Sequence, residues 1–143
     1  MNKLFVLPLV SLLIVGCTSK NEKAVAQEYD YTDIKHLRIC WDEILSQTPD
    51  SYYVYVYSET CGHCNEIKQE VITYALSHEA FFFISYSSHI PIIDDPLITI
   101  DKSEVSDLGI VGTPTLFVIN EHRVKENIVG KNSIIATLTN SQE

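Results

Sequence analysis

Cys61-Gly62-His63-Cys64 sets two thiols one helical turn apart, between a strand-like run (Tyr52 to Tyr57) and a helix-like one (Asn65 to Ser77). Thiols at that spacing can close a small disulfide. A cysteine that opens a helix faces unpaired backbone N–H groups and the positive end of the helix dipole, and both favour its thiolate. The thiolate is the attacking species in thiol–disulfide exchange, and a second nearby thiol resolves the mixed disulfide that results. Cys61 is therefore the candidate nucleophile and Cys64 the more buried resolving thiol. An imidazolium at His63 would favour the Cys61 thiolate, stabilise the reduced pair and make the disulfide more oxidising.

Other uses of paired cysteines fit poorly. A structural zinc site needs four ligands, and beyond this pair only Cys40 remains near the fold, with His78, His89 and His122 at no ligand spacing. A c-type haem needs histidine directly after the second cysteine, where this chain has Asn65. No metal and no cofactor is expected.

The chain has 143 residues, enough for one domain with appendages, and its 45% apolar content can fill a single core. A formal charge of −9 excludes nucleic acid as a partner, since phosphates demand a basic surface. The acid is dispersed, with no like-charge block longer than Asp94-Asp95, and reads as a solvated surface. At the N-terminus, Lys3 precedes an apolar run from Leu4 to Val15, too short to span a membrane and right for the core of a signal peptide. It ends Leu13-Ile14-Val15-Gly16-Cys17, which resembles the lipobox of bacterial lipoproteins. That resemblance implies cleavage after residue 16, lipid on Cys17 and export, with the chain anchored to a bacterial membrane and facing outside the cytoplasm. Ile14 stands where the pattern usually has leucine. The expected organisation is a signal peptide over 1–16, a polar tether over 17–29 and one domain over 30–143.

Within the domain, Asp33 caps an expected helix carrying Ile34, Leu37, Trp41, Ile44 and Leu45 on one face, ended by Pro49-Asp50-Ser51. Cys40 lies beside that face and reads as a buried, inert thiol, with His36 and Arg38 on the helix surface. Ser51 to Tyr57 is apolar on both alternating sets, as in a central strand covered on both sides. Ala80 to Tyr86 is a second strand. Ser87 to Ile100 is a loop with room for a short strand at Leu97 to Ile100, and Ser103 to Leu108 is a short helix stopped by Gly109. Thr115 to Ile119 and Arg123 to Val129 form a hairpin around Asn120-Glu121-His122, and Ser133 to Leu138 closes the chain as a helix. This order predicts an α/β domain with a mixed sheet of about four strands flanked by helices.

Element order and two motifs together resemble the thioredoxin superfamily over roughly residues 31 to 139. One motif is Ser58-Glu59-Thr60-Cys61-Gly62-His63-Cys64 at a strand-to-helix junction. The other is Val111-Gly112-Thr113-Pro114-Thr115-Leu116-Phe117 at the head of a strand. The resemblance implies a thioredoxin-like fold, a cis-proline at Pro114 beside the disulfide, and pairing of Thr113 with substrate backbone. It also implies that the residues between the cysteines, Gly62 and His63, tune the couple. Cys-Gly-His-Cys resembles the active-site sequence of protein disulfide isomerases. Potentials rise from about −270 mV in thioredoxin to about −180 mV in the isomerase, and His63 would push this chain toward the latter. One departure concerns the buried carboxylate that thioredoxins keep six residues before the first cysteine: Tyr55 stands there. Another is Thr60, where thioredoxins carry tryptophan.

Two functions follow as expectations. The first is a membrane-anchored extracytoplasmic thiol–disulfide oxidoreductase, its partners being thiols or disulfides of exported proteins and peptides and an integral membrane redox partner. The second is a non-enzymatic accessory or peptide-binding lipoprotein, similar to bacteriocin-transport accessory proteins, in which the Thr113-Pro114 groove holds a peptide.

Overall fold

A computed structural model of the chain describes residues 27–141. The expected signal peptide, the lipid site at Cys17 and all but the last three residues of the expected tether lie outside the described residues.

Four strands form one mixed sheet: β1 Ser51–Tyr57, β2 Phe82–Tyr86, β3 Thr115–Asn120 and β4 Arg123–Val129. Their spatial order is β2-β1-β3-β4. β1 pairs parallel with β2 and antiparallel with β3, and β3 pairs antiparallel with β4. β1 is central because both its faces are apolar, and its pleat sends alternate side chains into two separate cores. Tyr55 and Tyr57 enter one core with Cys64, Val71, Ile72, Phe82, Leu116, Ile134 and Leu138. Tyr52, Val54 and Val56 enter the other with Ile44, Leu45, Leu108, Ile110, Phe117 and Ile119.

The α-helices α1 Gly62–Glu66, α2 Lys68–Ser77 and α3 Lys131–Asn140 cover the first core. The helix expected over 65–77 thus begins three residues earlier and is interrupted at Ile67, which leaves helical geometry (φ −108, ψ 9) and buries its side chain. The second core is covered by 3₁₀ turns and irregular chain. The helix expected after Asp33 is instead two 3₁₀ turns, Lys35–Leu37 and Trp41–Glu43. The cause lies between them: Arg38 bridges to Ile84 and the Ile39 N–H donates to the Ile84 carbonyl at 2.9 Å, so this stretch extends along β2. The apolar residues Ile34, Leu37, Ile44 and Leu45 are still buried, but Cys40 turns outward and is exposed. The expectation of a buried Cys40 fails for that reason.

The segment expected to allow a strand at Leu97 to Ile100 is a 3₁₀ turn, Pro96–Thr99, and the short helix before Gly109 is the 3₁₀ turn Val105–Asp107. Gly109 is required by a close crossing: a Cβ there would lie 2.6 Å from both the Pro91 carbonyl oxygen and Ile93 Cγ2. That crossing lets Pro91 and Ile93 pair with Ile110, which fixes the approach to Val111-Gly112-Thr113-Pro114. The hairpin turn places Glu121 and His122 at φ 51 and 58. An N–H at His122 Nδ1 donates to the Leu45 carbonyl at 2.9 Å and ties the turn to the second core.

Candidate active site

Antiparallel pairing of β1 with β3 sets Val56 opposite Thr115, so the loop leaving β1 and the residues entering β3 meet at one end of the sheet. The loop leaving β1 is a closed turn. The Cys61 N–H donates to the Ser58 carbonyl at 3.1 Å, the Ser58 and Thr60 hydroxyls lie 3.0 Å apart, and the Asn65 amide donates to the Glu59 carbonyl at 3.4 Å. Cys61 is the N-cap of α1, and its sulfur accepts the Cys64 N–H at 3.3 Å.

The Cys61 thiol also donates to the Thr113 carbonyl at 3.2 Å, joining two motifs that lie 52 residues apart. The Thr113–Pro114 peptide is cis, and Pro114 is buried. The Gly130 N–H donates to the Pro114 carbonyl at 3.0 Å, which links this turn to the start of α3. Cys61, Cys64, Thr113 and Pro114 are thus brought together at this end of the sheet. Gly62 is exposed, with no atom within 4 Å of where a Cβ would stand, so the mouth between the cysteines is open.

The two sulfurs differ sharply in environment. Cys61 is partly exposed, whereas Cys64 is 0% exposed. Both are free thiols. Partial burial acts to raise the Cys61 thiol, but hydrogen bonds from Cys64, the Thr113 side chain and the backbone N–H groups of Cys64 and His63 outweigh it and hold Cys61 below the usual thiol range. The Thr113 carbonyl opposes this, since it accepts only from the neutral thiol; the donors prevail. Burial foremost, then the neighbouring Cys61 sulfur, pushes Cys64 up to about 11. Such a pair has one thiol ready to attack and one kept in reserve.

His63 projects into solvent with its side chain 65% exposed, and its Nδ1 lies 3.5 Å from Glu66 Oε1. Glu66 in turn pairs with Lys131 at the start of α3, and that cation first, with His63 after it, lowers the Glu66 carboxyl below its ordinary range. Glu66 is a member of the site that sequence reasoning missed; its three-residue spacing from His63 on a helix was the available signal. Tyr55, at the position of the expected carboxylate, is fully buried, and its hydroxyl lies 3.4 Å from that of Tyr31. Tyr31 was likewise missed, being 33 residues from Cys64, whose carbonyl its hydroxyl reaches at 3.4 Å. Cys40 lies outside this site, on the rim of a cleft of about 600 Å³ with Arg38, Trp41 and His89. Among the described residues, no group of three or more His, Cys, Asp or Glu could hold a metal ion.

No protein-family model matches the sequence, and no curated protein matches it. Solved structures do. Thioredoxin f2 in complex with ferredoxin:thioredoxin reductase aligns at 14% identity with a TM-score of 0.50, covering 74% of this chain and 94% of that one. The short form of spinach chloroplast thioredoxin f aligns at 13% identity and TM-score 0.49, covering 74% and 92%. Mitochondrial thioredoxin 3 of Saccharomyces cerevisiae gives 13% identity and TM-score 0.49, covering 74% and 93%. With the strand order described above, the first of these likenesses establishes a thioredoxin-like fold.

The difference between the thiols predicts their alkylation. Titrated with iodoacetamide and followed by peptide mass spectrometry, Cys61 should react with a pH midpoint below that of an unperturbed thiol, about 8.5. Cys64 should stay protected until well above that pH. Coincident midpoints would contradict the assigned environments.

Proposed function

We propose that this protein is a thiol–disulfide oxidoreductase of exported proteins, held at the bacterial membrane by lipid on Cys17 and facing outside the cytoplasm. The observation that carries the chemistry is the pairing of a partly exposed, low-lying Cys61 thiol with a buried, high-lying Cys64 thiol, beside the Thr113–Pro114 peptide. Cys61 as thiolate attacks one sulfur of a client disulfide, and the other client sulfur leaves with the bonding electron pair and takes up a proton. Cys64 then loses its proton and attacks Cys61, closing the Cys61–Cys64 disulfide and releasing the second client thiolate, which is protonated in turn. The client gains two electrons and the protein loses them. Run backwards, the same steps oxidise a client dithiol.

A client chain entering beside Pro114 meets the Thr113 backbone at the open head of β3, where an extended peptide can add main-chain hydrogen bonds. The membrane location rests on Lys3, the apolar run from Leu4 to Val15 and Gly16-Cys17. Tethering would hold the protein where exported chains emerge and where an integral redox partner can renew it. His63 and its Glu66 neighbour stand at the mouth, where charge on the imidazole would favour the Cys61 thiolate.

Two variants test the chemistry. Cys61→Ser should lose all measurable turnover of a disulfide-bonded protein substrate, while Cys64→Ser should accumulate a mixed disulfide that reductant releases. Cys61→Ser that keeps full activity would contradict the reading, and Cys61→Ser that still captures the same partner would favour a peptide-binding accessory protein instead. For location, fatty-acid labelling in a bacterial host should mark the full-length chain and be abolished by Cys17→Ser. Label persisting in that variant, or absent from the wild type, would sink the lipid anchor.

A further inference from the structure

The wall behind Cys64 is built from tyrosines. Tyr31 and Tyr55 are 3% and 0% exposed, with their hydroxyl oxygens 3.4 Å apart, and the Tyr31 hydroxyl also donates to the Cys64 carbonyl at 3.4 Å. Tyr57 stacks on Tyr31 with ring centroids 4.0 Å apart, and its own hydroxyl accepts from Arg38 Nη2 at 2.7 Å. The rings of Tyr55 and Tyr57 are nearly parallel, 6° apart in tilt. Stacking and the Arg38 bond therefore hold Tyr31 and Tyr55 in the core beside Cys64.

Resolution of a mixed disulfide needs Cys64 as a thiolate, and a thiolate in an apolar interior is costly unless it accepts hydrogen bonds. Among the described residues, the buried polar side chains are those of Ser85, Thr99 and Thr115, so no carboxylate, amine or imidazole is buried in the core around Cys64. The titratable groups that bear on Cys64 are Cys61, the N-cap of α1, Tyr55 from β1 and Tyr31 from the segment before the first 3₁₀ turn. The Ser58 backbone and the Thr113 side chain act in the thiolate's favour without offsetting burial. Burial, then the neighbouring Tyr31, then Cys64, pushes the Tyr55 hydroxyl far above its ordinary range, so it keeps its proton and is a donor at any physiological pH. With Tyr31 donating to the Cys64 carbonyl, Tyr55 is left to donate to Tyr31. The Cys64 side chain is the other hydrogen-bonding neighbour of the Tyr55 hydroxyl, and rotation about the Tyr55 C–O bond turns that hydrogen away from Tyr31.

We propose that Tyr55 is the hydrogen-bond donor to the Cys64 sulfur during resolution, with Tyr31 as a positioning residue that holds the Tyr55 hydroxyl in place. This rests on the exchange reading above and deepens it. In the step, the Cys64 S–H bond breaks and its proton ends on the departing client sulfur, carried by solvent at the mouth. The Cys64 lone pair forms the Cys61–Cys64 bond while the Cys61–client bond breaks, its electron pair leaving with the client. Tyr55 keeps its own proton throughout and stabilises charge without acting as a base. The hydroxyl pair thereby occupies the place where a carboxylate would have taken the proton.

The test is a single-turnover reaction of the full-length reduced protein with an aromatic disulfide that releases a chromophoric thiolate, in a Cys40→Ser background to remove the exposed third thiol. Attack by Cys61 releases the first thiolate, and resolution by Cys64 releases the second. Tyr55→Phe, which keeps the ring, should leave the first phase unchanged, slow the second about tenfold at pH 7 and move its pH midpoint up by about one unit, the shift that corresponds to tenfold less thiolate. Tyr31→Phe should act in the same direction by a smaller amount, and it carries the test if Tyr55→Phe does not fold. A folded variant of either kind whose second phase matches wild type in rate and pH midpoint overturns this proposal alone. A wild-type protein that stops after the first phase overturns the exchange reading, and this proposal with it.

Discussion

A contact of 3.2 Å between the Cys61 sulfur and the Thr113 carbonyl joins the two halves of the domain, and most of the architecture can be understood as what that contact requires. It exists because β1 runs through the middle of the sheet and β3 lies antiparallel beside it, with Val56 opposite Thr115. A slip of one residue would turn every β1 side chain to the opposite core and move the two loops apart. β1 resists such a slip because both of its faces are buried, with Tyr55 and Tyr57 in one core and Tyr52, Val54 and Val56 in the other. Burial on two sides thus fixes the register, and register fixes the site.

From the same geometry comes the unequal treatment of two sulfurs one turn apart. Cys61 caps α1 at the end of the central strand, where it is partly exposed and backbone donors reach it. Cys64 points back into the core beside Tyr31 and Tyr55, where among the described residues no charged side chain is buried. Solvation therefore orders the two thiols: the accessible sulfur ionises at lower pH than the buried one. Glu66 and Lys131 stand outside this division and bear on His63 from the solvent side.

Where side-chain pattern and backbone hydrogen bonding agreed, the sequence was easy to read. The Tyr and Val alternation of β1 and the short turn between β3 and β4 place those strands within a residue of their observed limits. Both motifs of the site could also be read, because each sits at the end of one of these strands. Legibility failed between Asp33 and Pro49. The apolar spacing there suits a helix, yet Arg38 and Ile39 bond to Ile84 of β2, a partner 45 and more residues away that local periodicity does not report. Cys40 was misplaced by the same error. Tyr31 was invisible for a related reason: its tie to Tyr55 and Cys64 exists only once the N-terminal segment packs on the sheet. Three tyrosines at alternate positions 53, 55 and 57 were the one hint that a face of β1 would be lined with hydroxyls.

The central claim is that Cys61 and Cys64 form one reversible dithiol–disulfide couple. Equilibrating the full-length protein in glutathione buffers and measuring the fraction with an internal Cys61–Cys64 disulfide, by mass spectrometry after acid quench, tests this most directly. The account predicts a single two-electron transition, with a potential nearer about −180 mV than about −270 mV given the histidine at the mouth. A protein that forms no Cys61–Cys64 disulfide at any glutathione ratio would contradict it.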